Sequence, residues 1–194
     1  MASFAELVAD VYIITNRPDL VNETKLAVKA ATLKAHQSDF YPKDLFEIGI
    51  TWPTPDYIQS IEYRTLVPRW RAFKYLRKYA DSTPGAFISL LTPEQTLDRY
   101  SINKDDICYL AGEMLEVRSS TQDAYMILSC YLNPILDENS YTSWIALDHP
   151  YAIVYEAARS IFKQIGWDEQ AASIRQEVGE QYQILKQEVT AYGE

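Results

Sequence analysis

Hydrophobic positions change their period twice along this chain. Between Phe4 and Ile14, the residues Phe4, Leu7, Val8, Val11 and Ile14 recur at three- and four-residue steps. Ser3 and Glu6 precede and open this run as an S-x-x-E capping box, so the pattern predicts an amphipathic helix. The NRPD segment at 16–19 breaks it. A second helix is expected from about Leu20 to His36, with Leu26, Ala30 and Leu33 on its apolar face beside Ala27 and Ala31. Small residues on that face predict close approach of another helix.

The middle of the chain alternates instead. Phe46, Ile48, Ile50 and Trp52 share one face of a period-two run, the signature of a strand. The PTPD segment at 53–56 makes a turn, and YIQSIEYRTLV at 57–67 is rich in strand formers. WRAFKYLRKY, at 70–79, reads as a further strand from its aromatic content. Thr92 and Pro93 open a helical turn or two within LTPEQTLDRY. DICYLAGEMLEVRSS predicts a hairpin turning at Ala111, Gly112 and Glu113, with DAYMILSCYL as its next neighbour in the sheet, ending at Pro134.

Helical spacing then returns. Asp148 is the expected N-cap of a helix with Pro150 in its first turn, a stripe of Tyr151, Tyr155, Ala158 and Phe162 widened by Val154, Ile161 and Ile165, and Gly166 as its stop. Asp168 then caps a last helix with a narrow seam of Ala171, Ile174, Val178, Tyr182, Leu185, Val189 and Tyr192. Helix, sheet and helix in this order predict an α+β fold. An antiparallel helical bundle from residues 1–44 and 145–194 carries a β-rich insertion, 45–144, within a single compact unit.

Charge changes the picture more than composition does. The net charge is −9, and the chain is therefore poorly suited to free binding of nucleic acid, which needs phosphate-neutralising cations. Yet residues 64–80 hold Arg64, Arg69, Arg71, Lys74, Arg77 and Lys78 with no acid, interleaved with Trp70, Phe73, Tyr75 and Tyr79. Basic and aromatic residues together suit a protein interface, a single-stranded nucleic acid or a solvated strand. The last helix is the opposite, with Asp168, Glu169, Glu177, Glu180, Glu188 and Glu194 against Arg175 and Lys186. The 15 tyrosines suit surfaces that are wet before assembly and covered after it, or half-exposed strand positions.

Candidate chemistry is sparse. His36 lies close in sequence to Asp39 and Asp44, but the only other histidine is His149, so a metal site is not expected and the segment reads as a structural seam, with His36 favourably placed at a helix C-terminus. Serine clusters in YTSWIA and RSSTQ lack a glycine-rich elbow, and no phosphate-cradling loop occurs. Glu47, Glu62, Glu113 and Glu116 are the acids a wall-cutting hydrolase would draw on. Catalytic, cofactor-binding and metal-binding residues are accordingly all expected to be none. Cys108 and Cys130 are expected as reduced, unpaired thiols on adjacent strands, in a chain with neither export leader nor membrane span.

Four stretches together resemble a known family. NRPDLVNETKLAVKAATLKAHQSDFYPKDL, LVPRWRAFKYLRKY, CYLAGEMLEVRSS and HPYAIVYEAARSIFKQIG look like the head-to-tail adaptor (connector) proteins of short-tailed bacteriophages, and the similarity runs over nearly the whole chain. The resemblance implies a structural virion protein at the head–tail junction, made in the host cytoplasm. It implies typically twelve copies in a ring beneath the portal protein, extending the DNA channel and offering a platform for the tail nozzle or tube. Genomic DNA would pass without sequence-specific contact. It implies no enzyme activity and no cofactor. The residues expected at a subunit or portal interface are Arg69, Trp70, Arg71 and Lys74 from the basic stretch, and Tyr182, Leu185, Val189 and Tyr192 from the last helix. Two other classes stay open: a soluble helical ligand-binding or regulatory module, and a tail-associated cell-wall hydrolase.

Overall fold

The computed structural model describes residues 3–80, 83–96, 102–122 and 125–191, with side chains through residue 187 in the final helix. In chain order it contains helices α1 (Phe4–Thr15) and α2 (Val21–Gln37), then strands β1 (Leu45–Ile50) and β2 (Ile58–Glu62). A single helical turn α3 (Tyr63–Leu66) leads to β3 (Trp70–Ala80), β4 (Thr83–Leu90), β5 (Ile107–Ala111), β6 (Met114–Arg118) and β7 (Tyr125–Leu132). The chain ends with α4 (Trp144–Asp148), α5 (Pro150–Gln164) and α6 (Asp168–Ala191). The fold is α+β, as the change of period predicts. Two compact units form: a helical one of residues 1–44 and 133–194, and a β-rich one of residues 45–132. Residues 133–144, assigned from sequence to the β layer, group with the helices; Tyr141 packs on Phe4 with ring centroids 5.4 Å apart.

In the helical unit, α5 packs against α1, α2, α4 and α6. Its buried positions, Ala152, Ile153, Val154, Glu156, Ala157, Ala158, Ile161 and Phe162, spread over more than one stripe, while Tyr151 at the head of the expected stripe is 52% exposed. The capping box forms as read: the Glu6 amide donates to Ser3 Oγ at 3.2 Å, and the Ser3 amide to Glu6 Oε2 at 2.6 Å. On α2 the buried face is Thr24, Ala27, Val28, Ala31, Thr32, Ala35 and His36. Leu26 is 66% exposed, so the expected Leu26–Ala30–Leu33 face is corrected by about one residue's rotation. The physical reason is closeness: the alanines of α2 meet an alanine-rich α5, and a leucine ridge would hold the backbones apart.

Two further boundaries differ. Asp148 does not cap α5; it ends α4, whose own N-cap is Ser143, with Oγ accepting the Ala146 amide at 3.1 Å. Residue His149 separates the two helices, and Pro150 then supplies a pre-set φ at the first position of α5. The stop at Gly166 is as expected. With φ at +76°, it lets the amides of Gly166 and Trp167 return to the carbonyls of Lys163 and Phe162 at 3.2 and 2.8 Å. The Phe162 and Trp167 rings stack across this Schellman turn at 6.0 Å. Beyond it, Ala171, Val178 and Leu185 are buried at seven-residue spacing, flanked by the half-buried Ile174 and Tyr182.

In the β unit, the seven strands run in the order β1-β7-β3-β4-β5-β6-β2. All neighbours are antiparallel except β4 and β5, which pair in parallel through Ser89–Ile107 and Leu90–Cys108. The expected hairpin is present, with Ala111 opposite Met114 and Gly112 at φ +62°. Its expected neighbour is wrong, because β7 pairs with β1 and β3 instead. Alternating hydrophobicity fixes which face is buried, and leaves strand order open. YIQSIEYRTLV is strand only to Glu62; Tyr63 then begins a helical turn, its ring 4.4 Å from Trp70 and its hydroxyl donating to the Gly112 carbonyl at 3.0 Å. The turn expected at Thr92 is a short 3-10 segment, Pro93–Gln95, and residues 97–100 of that stretch lie outside the described residues. No described helix is long and apolar enough to cross a membrane.

Cys108 and Cys130 are free and buried, but they lie on β5 and β7, with β3 and β4 between them. The expectation of adjacent strands is corrected with the strand order. Burial pushes the Cys108 thiol up to about 12 and the Cys130 thiol to about 11. A thiol reagent at pH 8 should therefore find no fast-reacting group in the native protein and two per chain after denaturation. Leu185→Ala should lower the unfolding free energy by about 2–5 kcal/mol in a urea titration, since it opens a cavity in the helical core.

Candidate interaction face on the sheet

The basic stretch lies mostly on β3, near the middle of the sheet. Its inner residues Trp70, Phe73 and Leu76 join the core of the β unit. Strict alternation would then leave only every second residue outside. Two bulges change this count. Trp70 pairs with Leu132 and Ala72 with Tyr131, so Arg71 is an inserted residue; Phe73 pairs with Cys130 and Tyr75 with Ser129, so Lys74 is another. Both inserted cations come over the ring of Tyr131, Arg71 at 5.8 Å and Lys74 at 5.7 Å from its centroid. Tyr131 itself is only 6% exposed beneath them.

The rest of this face follows from register. Tyr75, Arg77 and Tyr79 stand opposite Ser129, Ile127 and Tyr125 of β7, and Arg77 opposite Phe87 of β4. The Tyr79 and Tyr125 rings stack at 5.3 Å, and Tyr75 meets Phe87 edge-on at 5.4 Å. Arg77 is pinned, with Nε donating to the Gly85 carbonyl at 2.9 Å and its guanidinium 4.7 Å from the Phe87 ring, which is 57% exposed. Glu47 of β1 accepts a hydrogen bond from the Tyr75 hydroxyl, and that bond holds the Tyr75 pKa above its ordinary value. The product is a platform of cations on aromatic rings, with Glu47 at its border. Planar guanidinium and aromatic groups of this kind bind carboxylate-bearing and flat partners well.

The residues named from sequence divide here. Arg69 and Lys74 are exposed and Arg71 is partly so. Trp70 is 4% exposed and faces the core, so its surface is already used within the chain. Lys78 also leaves the basic patch: it is 3% exposed, pairs with Asp106 and donates to the Thr121 carbonyl at 2.8 Å. Leu185 is fully buried, so its side chain is already used within the helical core, while Tyr182 is half-buried against that core. The side chain of Val189, and all of Tyr192, lie outside the described residues. The bulges were missed because an alternation pattern assumes an unbroken ladder; the irregular spacing of Trp70, Phe73 and Leu76 was the available signal.

A second constellation joins residues far apart in sequence. His36, 2% exposed, has Nδ1 at 2.8 Å from Asp44 Oδ1 and Nε2 at 2.9 Å from Ser143 Oγ. The indole N–H of Trp144 donates to the same Asp44 oxygen at 2.8 Å. Serine, histidine and aspartate are thus linked in the order of a hydrolase triad. Here Ser143 is buried and its oxygen already caps α4, so the network acts as a clasp between the end of α2 and the start of α4. Asp39 accepts the Phe40 amide at 2.7 Å. YTSWIA, which holds Ser143 and Trp144, stood out in the sequence only as a serine cluster; nothing in its spacing linked it to His36 and Asp44. Among the described residues, no group of three or more His, Cys, Asp or Glu is gathered in a way that could hold a metal ion.

No protein-family model matches this chain, and no curated protein matches it in sequence.

Removing the shared acceptor should be costly. Asp44→Ala deprives one buried and one part-buried donor at about 1–3 kcal/mol each, so unfolding free energy should fall by roughly 2–6 kcal/mol. Asp44→Asn, which keeps one acceptor oxygen, should lose less in the same denaturant titration.

Proposed function

We propose that this protein is a head-to-tail adaptor of a short-tailed phage, a structural component that forms a ring between the portal protein and the tail. The observation that carries this reading is the platform on β3, where two bulges bring Arg71 and Lys74 outward beside Arg69 in a chain of net charge −9. Copies of so acidic a chain repel one another, and a ring needs local complementarity to set their order. An outward cationic face supplies one half of such a contact, and acidic surface on a neighbouring copy or on the portal supplies the other. The four stretches resembling the adaptor family support the same reading. In it, about twelve copies extend the DNA channel, the tail nozzle or tube docks on the far side, and the protein works without cofactor or catalysis.

Each exposed ion pair contributes only about 0–1 kcal/mol, but a ring repeats the contact at every subunit. Arg69→Glu with Lys74→Glu should leave the melting temperature nearly unchanged, because both side chains are exposed. The same double reversal should abolish addition to portal-bearing heads, scored by electron microscopy of purified particles. Added salt should weaken the wild-type association. Normal assembly of the reversed protein at low salt sinks this role for the platform.

A further inference from the structure

We infer that the groove along α6, walled by α5 and ended by Lys34 of α2, is a docking site for an acidic peptide segment of another polypeptide. Two hollows of about 350 and 270 Å³ lie side by side along α6, with Arg159 and Arg175 lining both. The groove's floor is small: Ala171, Ala172, Val178 and Gly179 leave room for a backbone to lie close. It follows α6 from Asp168 to Tyr182, about 20 Å at the helical rise, which matches about six residues of extended chain. That length fits a peptide better than a single small ion.

The charges along it do not balance. Glu156, 7% exposed, places Oε1 at 2.5 Å from Lys34 Nζ and 2.7 Å from the Arg159 guanidinium, so one carboxylate oxygen serves two cations. Lys163 and Arg175 have no ion-pair partner among the described residues. Asp168 is the one other acid lining the groove, at its mouth and exposed. Three shielded polar atoms on the wall, Glu156 Oε2, Arg159 Nε and the Tyr182 hydroxyl, make no hydrogen bond. Buried polar atoms are nearly always paired, so their clustering in one groove marks a place where an interaction is left open. Two of the three are donors. A carboxylate entering beside Arg159 meets the positive charge of its guanidinium, while a second one a few residues along neutralises Arg175 and Lys163. This inference stands apart from the adaptor reading and uses a different unit of the chain.

The test titrates the full chain with a fluorescent, end-blocked hexapeptide, Glu-Ala-Glu-Glu-Ala-Glu, at low salt, reading anisotropy. Saturable one-to-one binding is expected. Lys163→Glu with Arg175→Glu should weaken it at least about tenfold, as should replacing every Glu of the peptide by Gln. Both protein side chains are exposed, and Lys163→Gln with Arg175→Gln gives a milder variant should the reversal disturb folding. Reversing Arg69 and Lys74 on the sheet should leave the affinity unchanged. Failure to bind, indifference to the Lys163 and Arg175 changes, or equal loss from the sheet reversal overturns the proposal. So does full displacement by inorganic phosphate at the peptide's own concentration, which would make the groove a plain oxyanion site.

Discussion

One buried carboxylate, that of Asp44, holds the helical unit closed. It receives His36 from the end of α2 and Trp144 from the start of α4, and it is the last residue before the chain leaves this unit. Everything the helices bury depends on bringing 1–44 and 133–194 together across the inserted residues 45–132. The entropic cost of that closure rises only logarithmically, about 0.6 kcal/mol for each doubling of loop length. A polar clasp and an alanine-lined contact between α2 and α5 can therefore tolerate a large insert.

What the sequence reveals follows from the range of each interaction. The capping box at Ser3, the Schellman turn at Gly166, the hairpin at Gly112 and the seven-residue burial of Ala171, Val178 and Leu185 are each written within a few neighbours. Local chemistry decides them, so they were legible. The buried face of α2 was not, because Leu26 outranks Ala27 in hydrophobicity while the partner helix selects for size. Neither was the strand order, which joins β7 to β3 across more than forty residues and obeys no pattern inside either strand. The candidate platform was half legible. Its charge stood out in the sequence, but the bulges that turn Arg71 and Lys74 outward depend on pairing with β7.

Charge in this protein is organised at a scale smaller than the whole. A net charge of −9 sets copies of the chain repelling one another, yet each unit carries its own cationic feature: the aromatic-backed platform on the sheet and the groove beside α6. Lys78 shows the difference between a counted charge and an available one. It belongs to the basic stretch, but Asp106 and the Thr121 carbonyl take it up below the surface. The platform's strength lies in fixed positions more than in total charge, since Tyr131, Phe87 and the Gly85 carbonyl hold its cations in place. Pre-set side chains lose less rotamer freedom when a partner arrives.

The alanine and threonine face of α2 also matters in time. During synthesis α2 emerges long before α5, with Gln37 and Pro150 bounding the interval between them. At 5–20 residues per second, the wait lasts about 6–23 s. A leucine-rich face left bare over that interval would collect other nascent chains. Ala27, Ala31 and Ala35, with Thr24 and Thr32, offer little for them to grip. Small residues thus leave α2 itself with little bare apolar surface while it waits for α5, unlike α1 with its Phe4, Leu7, Val8 and Val11.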